Sequence, residues 1–206
     1  MPSLRKSEPE EGGVMRFKIA AMLGLALLAL SACTKYEYDL EQFSHTTFDE
    51  TMPSWSPDGT LLAYTTSEGE GDIVIAELKT LRVTKLTSGD AKDLAPCWSP
   101  DGRKIAFASD RNGNFDIWVI DVVTRRMKRL TSDIADETLP RWSPDGSKIV
   151  YQSRRGGNWD IWVMDADGSN QRRLTDYAGA DIDPCWSPDG TKIAFASDRN
   201  GNLDIW

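Results

Sequence analysis

The chain has 206 residues, enough for one ordinary domain with a hydrophobic core, and this length does not require a second domain. It carries 24 Lys and Arg against 32 Asp and Glu, a net charge of −8 that argues against nucleic-acid binding. With one histidine, His45, a Ser-His-Asp triad or a His-ligated metal site is not expected. The composition therefore predicts no catalytic residue, no metal and no cofactor.

The first element in chain order is an export signal. Starting at Met15, the basic residues Arg16 and Lys18 precede a twelve-residue apolar run, residues 19–30, and then small residues. The run is shorter than the roughly 20 residues of a transmembrane helix. Residues 1–14 contain three glutamates, which do not suit the positive start of a signal, so Met15 is an alternative start. We therefore predict a signal peptide over residues 1–32.

The end of this signal, Leu-Ser-Ala-Cys at 30–33, resembles the lipobox of bacterial lipoproteins. The resemblance implies that Cys33 is acylated and becomes the first mature residue, with residues 33–40 as a lipid-anchored tether. Thr34 follows the cysteine where an Asp would imply retention at the inner membrane, so the resemblance implies the outer membrane. An ordinary signal with an incidental cysteine is the alternative.

An internal repeat then dominates the chain. The motif P-x-W-S-P-D-G begins at Pro53, Pro96, Pro140 and Pro184, at spacings of 43, 44 and 44 residues. After each copy come an apolar run, a polar turn, a second apolar run and a short basic segment ending in Leu-Thr, where the sequence extends that far. Units of about 40 to 45 residues with four strands are typical of β-propellers. The repeat predicts an all-β propeller over residues 41–206, with about four blades represented.

The turns and strands agree with this interpretation. Ser-Pro-Asp-Gly at 99–102 suits a type I turn, and Asn-Gly at 112–113 suits a tight hairpin. Strands such as 105–108 are apolar on both faces, which predicts that each sheet is covered on both sides. We expect Trp55, its equivalents in later repeats, and the third-strand tryptophans to pack between blades.

The two ends of the repeat region differ from its middle. Residues 41–52 resemble the segment that precedes the third repeat, which predicts a closing strand and loop that complete a ring. The last unit stops at Trp206, three residues into its third strand. We expect the sequence to be part of a longer propeller; taken as complete, it would form a ring of four blades.

An acid recurs three residues before each repeat proline, at Glu50, Asp93, Glu137 and Asp181. The loops that carry these acids meet at one mouth of a propeller, so the four side chains are candidates for an arc that binds a cationic partner segment. The alternative is that each acid caps its own loop or pairs with a nearby arginine.

Three arginines, Arg111, Arg155 and Arg199, recur at one hairpin position, and we expect salt bridges there rather than a binding fork. Cys97 and Cys185 occupy the same position two repeats apart, too far for a disulfide.

The motifs P-x-W-S-P-D-G, K-I-A-F-A-S-D-R-N-G and D-I-W make residues 53–206 similar to the repeats of the TolB family. The resemblance implies a probable six-bladed ring and a periplasmic role linked to Tol-Pal type envelope integrity or transport. The amino-terminal α/β domain of that family has no counterpart in residues 34–52, so we expect a lipoprotein form without it. The function expected is a non-enzymatic scaffold that binds an envelope protein or peptide. The alternative, since related repeats occur there, is the propeller of a truncated prolyl-oligopeptidase-like peptidase.

Overall fold

The computed structural model describes residues 42–44 and 46–206. The predictions for the signal peptide, Cys33, the tether and His45 lie outside these residues. Within the described part, no helix has the length and apolar character needed to cross a bilayer. The ordered repeat region, Thr46–Trp206, forms one compact unit.

Within residues 42–44 and 46–206, fifteen strands form four antiparallel sheets, each built from consecutive strands. The first sheet contains β1 (Glu50–Trp55), β2 (Leu61–Thr66), β3 (Asp72–Glu77) and β4 (Arg82–Lys85). The second contains β5 (Asp93–Trp98), β6 (Lys104–Ser109), β7 (Asp116–Asp121) and β8 (Met127–Arg129). The third contains β9 (Glu137–Trp142), β10 (Lys148–Ser153), β11 (Asp160–Asp165) and β12 (Arg172–Arg173). The fourth contains β13 (Asp181–Trp186), β14 (Ile193–Ser197) and β15 (Asp204–Ile205).

The sheets are the blades of a propeller, which confirms the predicted all-β fold. The first strands of consecutive sheets contact one another, β1 with β5, β5 with β9 and β9 with β13. These strands therefore line the axis, and β4, β8 and β12 lie at the periphery. Residues 42–44 carry no strand, and residues 50–52 belong to β1, so the predicted closing strand over 41–52 stays a prediction.

Hydrophobic packing between blades follows the repeat. Trp98, Ile105 and Phe107 of the second sheet pack against Ile73 and Leu86 of the first. The same set of positions, shifted by one unit, forms the core between the second and third sheets. The second sheet is therefore covered on both faces, as the sequence predicts, whereas within the described residues the first sheet has a neighbouring blade on one face only.

Trp98 and Trp142 lie in these seams and are 6% and 9% exposed. Trp55 differs, because it is 60% exposed and the prediction that it packs between blades is wrong. Each seam tryptophan faces the preceding blade, and Trp55 belongs to the first sheet. It therefore faces away from the second sheet.

Each axial strand also contains a bulge just before its repeat proline. The bulge places a residue other than glycine at positive φ, as at Ala95 (55°) and Asp183 (53°), where backbone strain is expected. A side chain of the preceding blade holds the bulge: Thr65 accepts a hydrogen bond from the Ala95 N–H, and Gln152 accepts one from Asp183. The strained backbone is thus fixed by the neighbouring sheet.

Candidate functional site

One end of every blade gathers the loops between blades and the central hairpins, and we call it the loop edge. Antiparallel pairing requires this arrangement: Asp93 at the start of β5 pairs with Ser109 at the end of β6, and Ser109 pairs with Asp116 at the start of β7. The Ser-Pro-Asp-Gly turns lie at the opposite end. All four acids of the predicted arc therefore lie at the loop edge.

A row of acid, hydroxyl and acid crosses the first three strands of each blade at the loop edge. The middle member is Thr66, Ser109, Ser153 or Ser197. The third member is an aspartate that begins the third strand: Asp72, Asp116, Asp160 or Asp204. Sequence reasoning missed these aspartates, although they recur every 44 residues immediately before an apolar run.

An arginine of the central hairpin clamps the first acid in three of the blades. The Arg111 guanidinium donates to both Asp93 oxygens at 2.8 and 3.0 Å, and Arg199 binds Asp181 in the same way at 2.9 and 3.0 Å. Arg155 pairs with Glu137. These contacts confirm the salt bridges expected for the three arginines, and each pair lies within one blade.

Each clamping arginine also stacks over the indole of the third strand. The guanidinium carbon lies 4.8 Å from the ring centre of Trp118, 4.8 Å from that of Trp162 and 4.5 Å from that of Trp206. Such a stack orients a cation and excludes water from one of its faces. The arginine is thereby fixed between an aromatic ring and a carboxylate.

A second cation, from the outermost strand, pairs with the third-strand aspartate. The shortest nitrogen-to-oxygen distance is 2.6 Å from Arg129 Nη2 to Asp116 Oδ2 and 2.7 Å from Arg173 Nη2 to Asp160 Oδ2. It is 3.4 Å from Lys85 Nζ to Asp72 Oδ2. Each such carboxylate is nearly or fully buried. Burial raises the pKa of Asp116 and of Asp160 above the ordinary aspartate value, although the paired arginines oppose this rise.

At the seam between the second and third blades, Thr131 lies next to an acid of each blade. Thr131 accepts a hydrogen bond from the Ile117 N–H at 2.8 Å and donates to Asp116 at 3.5 Å. Burial raises the pKa of Glu137 in the next blade, although Thr131 and Arg155 oppose this rise. At the next seam, hydrogen bonds from Ser197, Arg199 and Thr175 outweigh burial and lower the pKa of Asp181. We call the unit of acid, threonine and acid the seam junction.

The structure places the four acids of the predicted arc in two different environments. Asp93, Glu137 and Asp181 are 1%, 0% and 0% exposed, and each already has an arginine partner. Glu50 is half-buried and accepts a hydrogen bond from the Thr46 hydroxyl at 3.1 Å. The first three thus hold the framework of the loop edge, and binding of a partner by the arc stays a prediction.

Above this framework, the loops between blades are held by asparagines. The Asn114 side-chain amide donates to the Asp133 and Ala135 carbonyls at 3.1 and 2.9 Å. Asn158 makes the equivalent contacts with the Tyr177 and Gly179 carbonyls. Two carbonyls per loop are therefore fixed on either side of the loop apex.

The apex itself changes from one loop to the next. Counted from the preceding Leu-Thr, the apex residue is Asp90, Ile134 or Ala178, and the carbonyls beside it are clamped in the second and third of these loops. All three are exposed, and Ile134 is 96% exposed. The loop edge thus combines a constant, buried framework with variable, exposed tips.

The opposite edge contains clefts between consecutive Ser-Pro-Asp-Gly turns. One of them, about 680 Å³, lies between the third and fourth blades and is lined by Lys148, Trp186 and Lys192. In the turn at 143–146, Ser143 and then the backbone and hydroxyl of Ser147 lower the pKa of Asp145 to about 2. That carboxylate is therefore a structural acceptor of the turn.

The two cysteines of the described part are free thiols on axial strands. Cys97 is half-buried on β5, and burial raises the pKa of its thiol despite the nearby Arg141. Cys185 is exposed on β13. Among residues 42–44 and 46–206, no group of three or more His, Cys, Asp and Glu side chains is placed to hold a metal ion.

Comparison with known proteins identifies the repeat. Residues 41–159 match the family model described as the TolB beta propeller domain. The chain is similar to the crystal structure of TolB from Acinetobacter baumannii, with 32% identity and a TM-score of 0.71. That match covers 81% of this chain and 44% of the other, so this chain spans less than half the length of that relative.

Two more distant structures share the fold alone. Oligogalacturonate lyase from Vibrio parahaemolyticus is 18% identical with a TM-score of 0.63, over 80% of this chain and 50% of the other. A puromycin hydrolase S511A mutant complexed with PGG is 16% identical with a TM-score of 0.65, over 80% and 28%. Among curated protein sequences, none matches this chain significantly.

Proposed function

Because the chain belongs to the TolB β-propeller domain family, we propose that it is a non-enzymatic binding scaffold of the bacterial envelope. Its loop edge holds a protein or peptide partner. The observation that carries this proposal is the contrast between the constant framework of that edge and its variable loop tips. Loops on a rigid scaffold are the usual place for binding residues, because the scaffold positions them without restricting their sequence.

The framework supplies the rigidity that such a binding surface needs. Asp93 and Arg111 fix the base of one loop, Glu137 and Arg155 fix the next, and Asn114 fixes the carbonyls near the tip. The loop tips are therefore already ordered before a partner binds. Binding then costs less conformational entropy, which favours affinity.

The tips define the chemistry of the partner. Ile134 offers an apolar contact, and Asp90 offers a negative charge, each exposed at the same loop position. Of the predicted arc, Glu50 is the member with partial exposure and no arginine partner within the described residues. The combination favours a segment with an apolar side chain flanked by basic groups.

The location we propose is the periplasmic side of the envelope. The export signal over residues 1–32 and the family support the compartment. Acylation at Cys33 would anchor the chain, and Thr34 favours the outer membrane over the inner one. A link to Tol-Pal type envelope integrity or transport is part of this proposal and follows from the family alone.

The alternative is the propeller of a prolyl-oligopeptidase-like peptidase. Its support is the similarity to puromycin hydrolase, and at 16% identity that similarity concerns the fold. A reading of the gene beyond codon 206 that reveals a G-x-S-x-G motif would favour this alternative.

The test of the scaffold is affinity capture of the full-length, processed protein from envelope extracts. We expect a specific partner to be recovered with the wild type and lost with Ile134→Asp, a change at a fully exposed side chain that leaves the core intact. Glu50→Gln should weaken recovery. The matched control is Lys192→Asp, an exposed change at the opposite edge, which should recover the partner normally. Equal recovery with Ile134→Asp and Lys192→Asp would place the binding surface elsewhere.

A further inference from the structure

The outer strands of the first two blades carry an unusual surface of cations and exposed apolar side chains. We define the rim patch by three apolar residues, Leu81, Val83 and Val123, and three basic ones, Arg82, Arg126 and Lys128. The apolar members are 61%, 51% and 86% exposed. The two classes alternate along the sequence in the first blade, and in the second Val123 precedes both basic residues.

The cations of the rim patch are free to meet an external anion. No carboxylate of the described residues lies within ion-pair distance of Arg82, Arg126 or Lys128, whereas Lys85 on β4 and Arg129 on β8 have acidic partners. Lys128 donates to the Asp167 backbone carbonyl at 2.8 Å. The patch is therefore positive in a chain whose net charge is −8.

Two acids close to the patch in sequence accept hydrogen bonds within local turns. Asp121 accepts hydrogen bonds from the Val123 and Thr124 N–H groups at 3.1 and 2.7 Å. Glu77 accepts one from the Thr80 hydroxyl at 2.7 Å. These hydrogen bonds stabilise the turns that present the patch.

The two blades form one continuous surface. Arg125, in the turn before β8, donates to the backbone carbonyl of Lys85 on β4 at 3.3 Å. This contact joins the turn of the second blade to the outermost strand of the first, so the two halves of the rim patch adjoin each other.

The third blade provides an internal comparison. Its equivalent turn, residues 166–170, contains no large apolar side chain and includes Asp167, although Arg172 on β12 is exposed and basic. The combination of apolar and basic groups is thus specific to the first two blades. Charged side chains on an outer strand usually protect a sheet edge from pairing with another chain. Exposed Leu and Val side chains beside those charges do not serve this purpose.

From these observations we propose that the rim patch is a docking surface for an anionic lipid membrane. Apolar side chains that enter the boundary between headgroups and acyl chains, flanked by cations that meet phosphates, are the pattern of interfacial membrane binding. An acidic protein would use the cations but would gain little from Val123 or Leu81. This surface is separate from the loop edge, so its role does not depend on the partner proposed there.

The experiment measures vesicle binding by the full chain carrying Cys33→Ser, so that no acyl chain contributes. Vesicles with about a third phosphatidylglycerol are compared with vesicles of phosphatidylcholine alone by cosedimentation. The charge variant combines Arg82→Gln, Arg126→Gln and Lys128→Gln, and the control is Arg172→Gln. The amino-terminal segment is the same in every protein, so differences between variants arise from the repeats.

We expect the charge variant to bind the anionic vesicles on the order of 100-fold more weakly than the control, since each cation near such a surface contributes roughly a factor of five. The apolar variant, Leu81→Ser with Val123→Ser, should also bind the vesicles more weakly, while its binding to poly-glutamate stays unchanged. Equal vesicle binding by the charge variant and the control would overturn the proposal. Loss with the charge variant but full binding by the apolar variant would assign the patch to an acidic macromolecule instead, and would also overturn it.

Discussion

The buried pair of Glu137 and Arg155 allows the framework of the loop edge to be tested directly. Glu137 is fully buried and the Arg155 side chain is 16% exposed, so Arg155→Met leaves a carboxylate in the seam without its cation. Breaking a buried ion pair from one side costs about 3–5 kcal/mol. Loss of the stack on Trp162, 4.8 Å from the guanidinium, adds up to about 1 kcal/mol.

This cost is large beside the roughly 5–15 kcal/mol that stabilises a typical domain. For a domain of this size, about 3–5 kcal/mol corresponds to a fall in Tm of roughly 6–20 °C. Urea titration followed by tryptophan fluorescence, together with a thermal melt by circular dichroism, measures both quantities.

Two further variants separate the ion pair from other causes. Arg154→Met changes the adjacent residue, which is exposed and lies 5.2 Å over the Trp159 ring, and should cost under about 1 kcal/mol. Adding Glu137→Gln to Arg155→Met should restore at least half of the lost stability, because the orphaned charge is removed. If Arg155→Met and Arg154→Met melt within about 2 °C of each other, the buried pair does not hold the seam in the way described.

Three other outcomes are expected. Trp142→Ala should cost about 3–5 kcal/mol in urea titration, since the indole is 9% exposed, whereas Trp55→Ala, at 60% exposure, should cost under about 1 kcal/mol; equal costs would contradict the packing of the seams. In the folded protein, Cys185 should react with a maleimide faster than Cys97, whose thiol is half-buried with a raised pKa, and peptide mass spectrometry gives the order. Asp145 has a folded pKa of about 2 against 3.8 unfolded, so its stabilising contribution is present above about pH 4 and is lost as the pH falls toward 2. The Tm of Asp145→Asn should therefore depend less on pH between 4 and 2 than the Tm of the wild type does. Parallel Tm curves for the two proteins would disprove the role assigned to Asp145.

The fold could be predicted from the sequence because the motif occurs four times and each copy carries the pattern of one blade. A single Ser-Pro-Asp-Gly turn is weak evidence, but the same turn at 99–102 and at 143–146 restricts the interpretation to stacked units of equal size. The seam tryptophans Trp98 and Trp142 were predictable for the same reason. The exposure of Trp55 was not predictable, because it occupies the same repeat position as the seam tryptophans. Unlike them, it has no preceding blade among the described residues to cover it.

The candidate site was harder to predict, because its members come from three strands and two blades. The sequence identifies Glu137 by its recurrence but does not indicate whether a carboxylate faces solvent or an arginine. That depends on the strand register, which sets Ser153 between Glu137 and Asp160. The tip residues such as Ile134 could not be found by recurrence at all, because they are the positions where the repeats differ.

The seam junction also bears on how such a chain can change in length. Each of the three seams in the described residues brings together an aspartate and a threonine of one blade with an acid and an arginine of the next, so the second and third blades present the same groups on both sides. A duplicated unit of 44 residues would therefore meet compatible surfaces in front of it and behind it. Growth by whole units adds a new tip without disturbing existing ones, which gives evolution a simple route to new specificities.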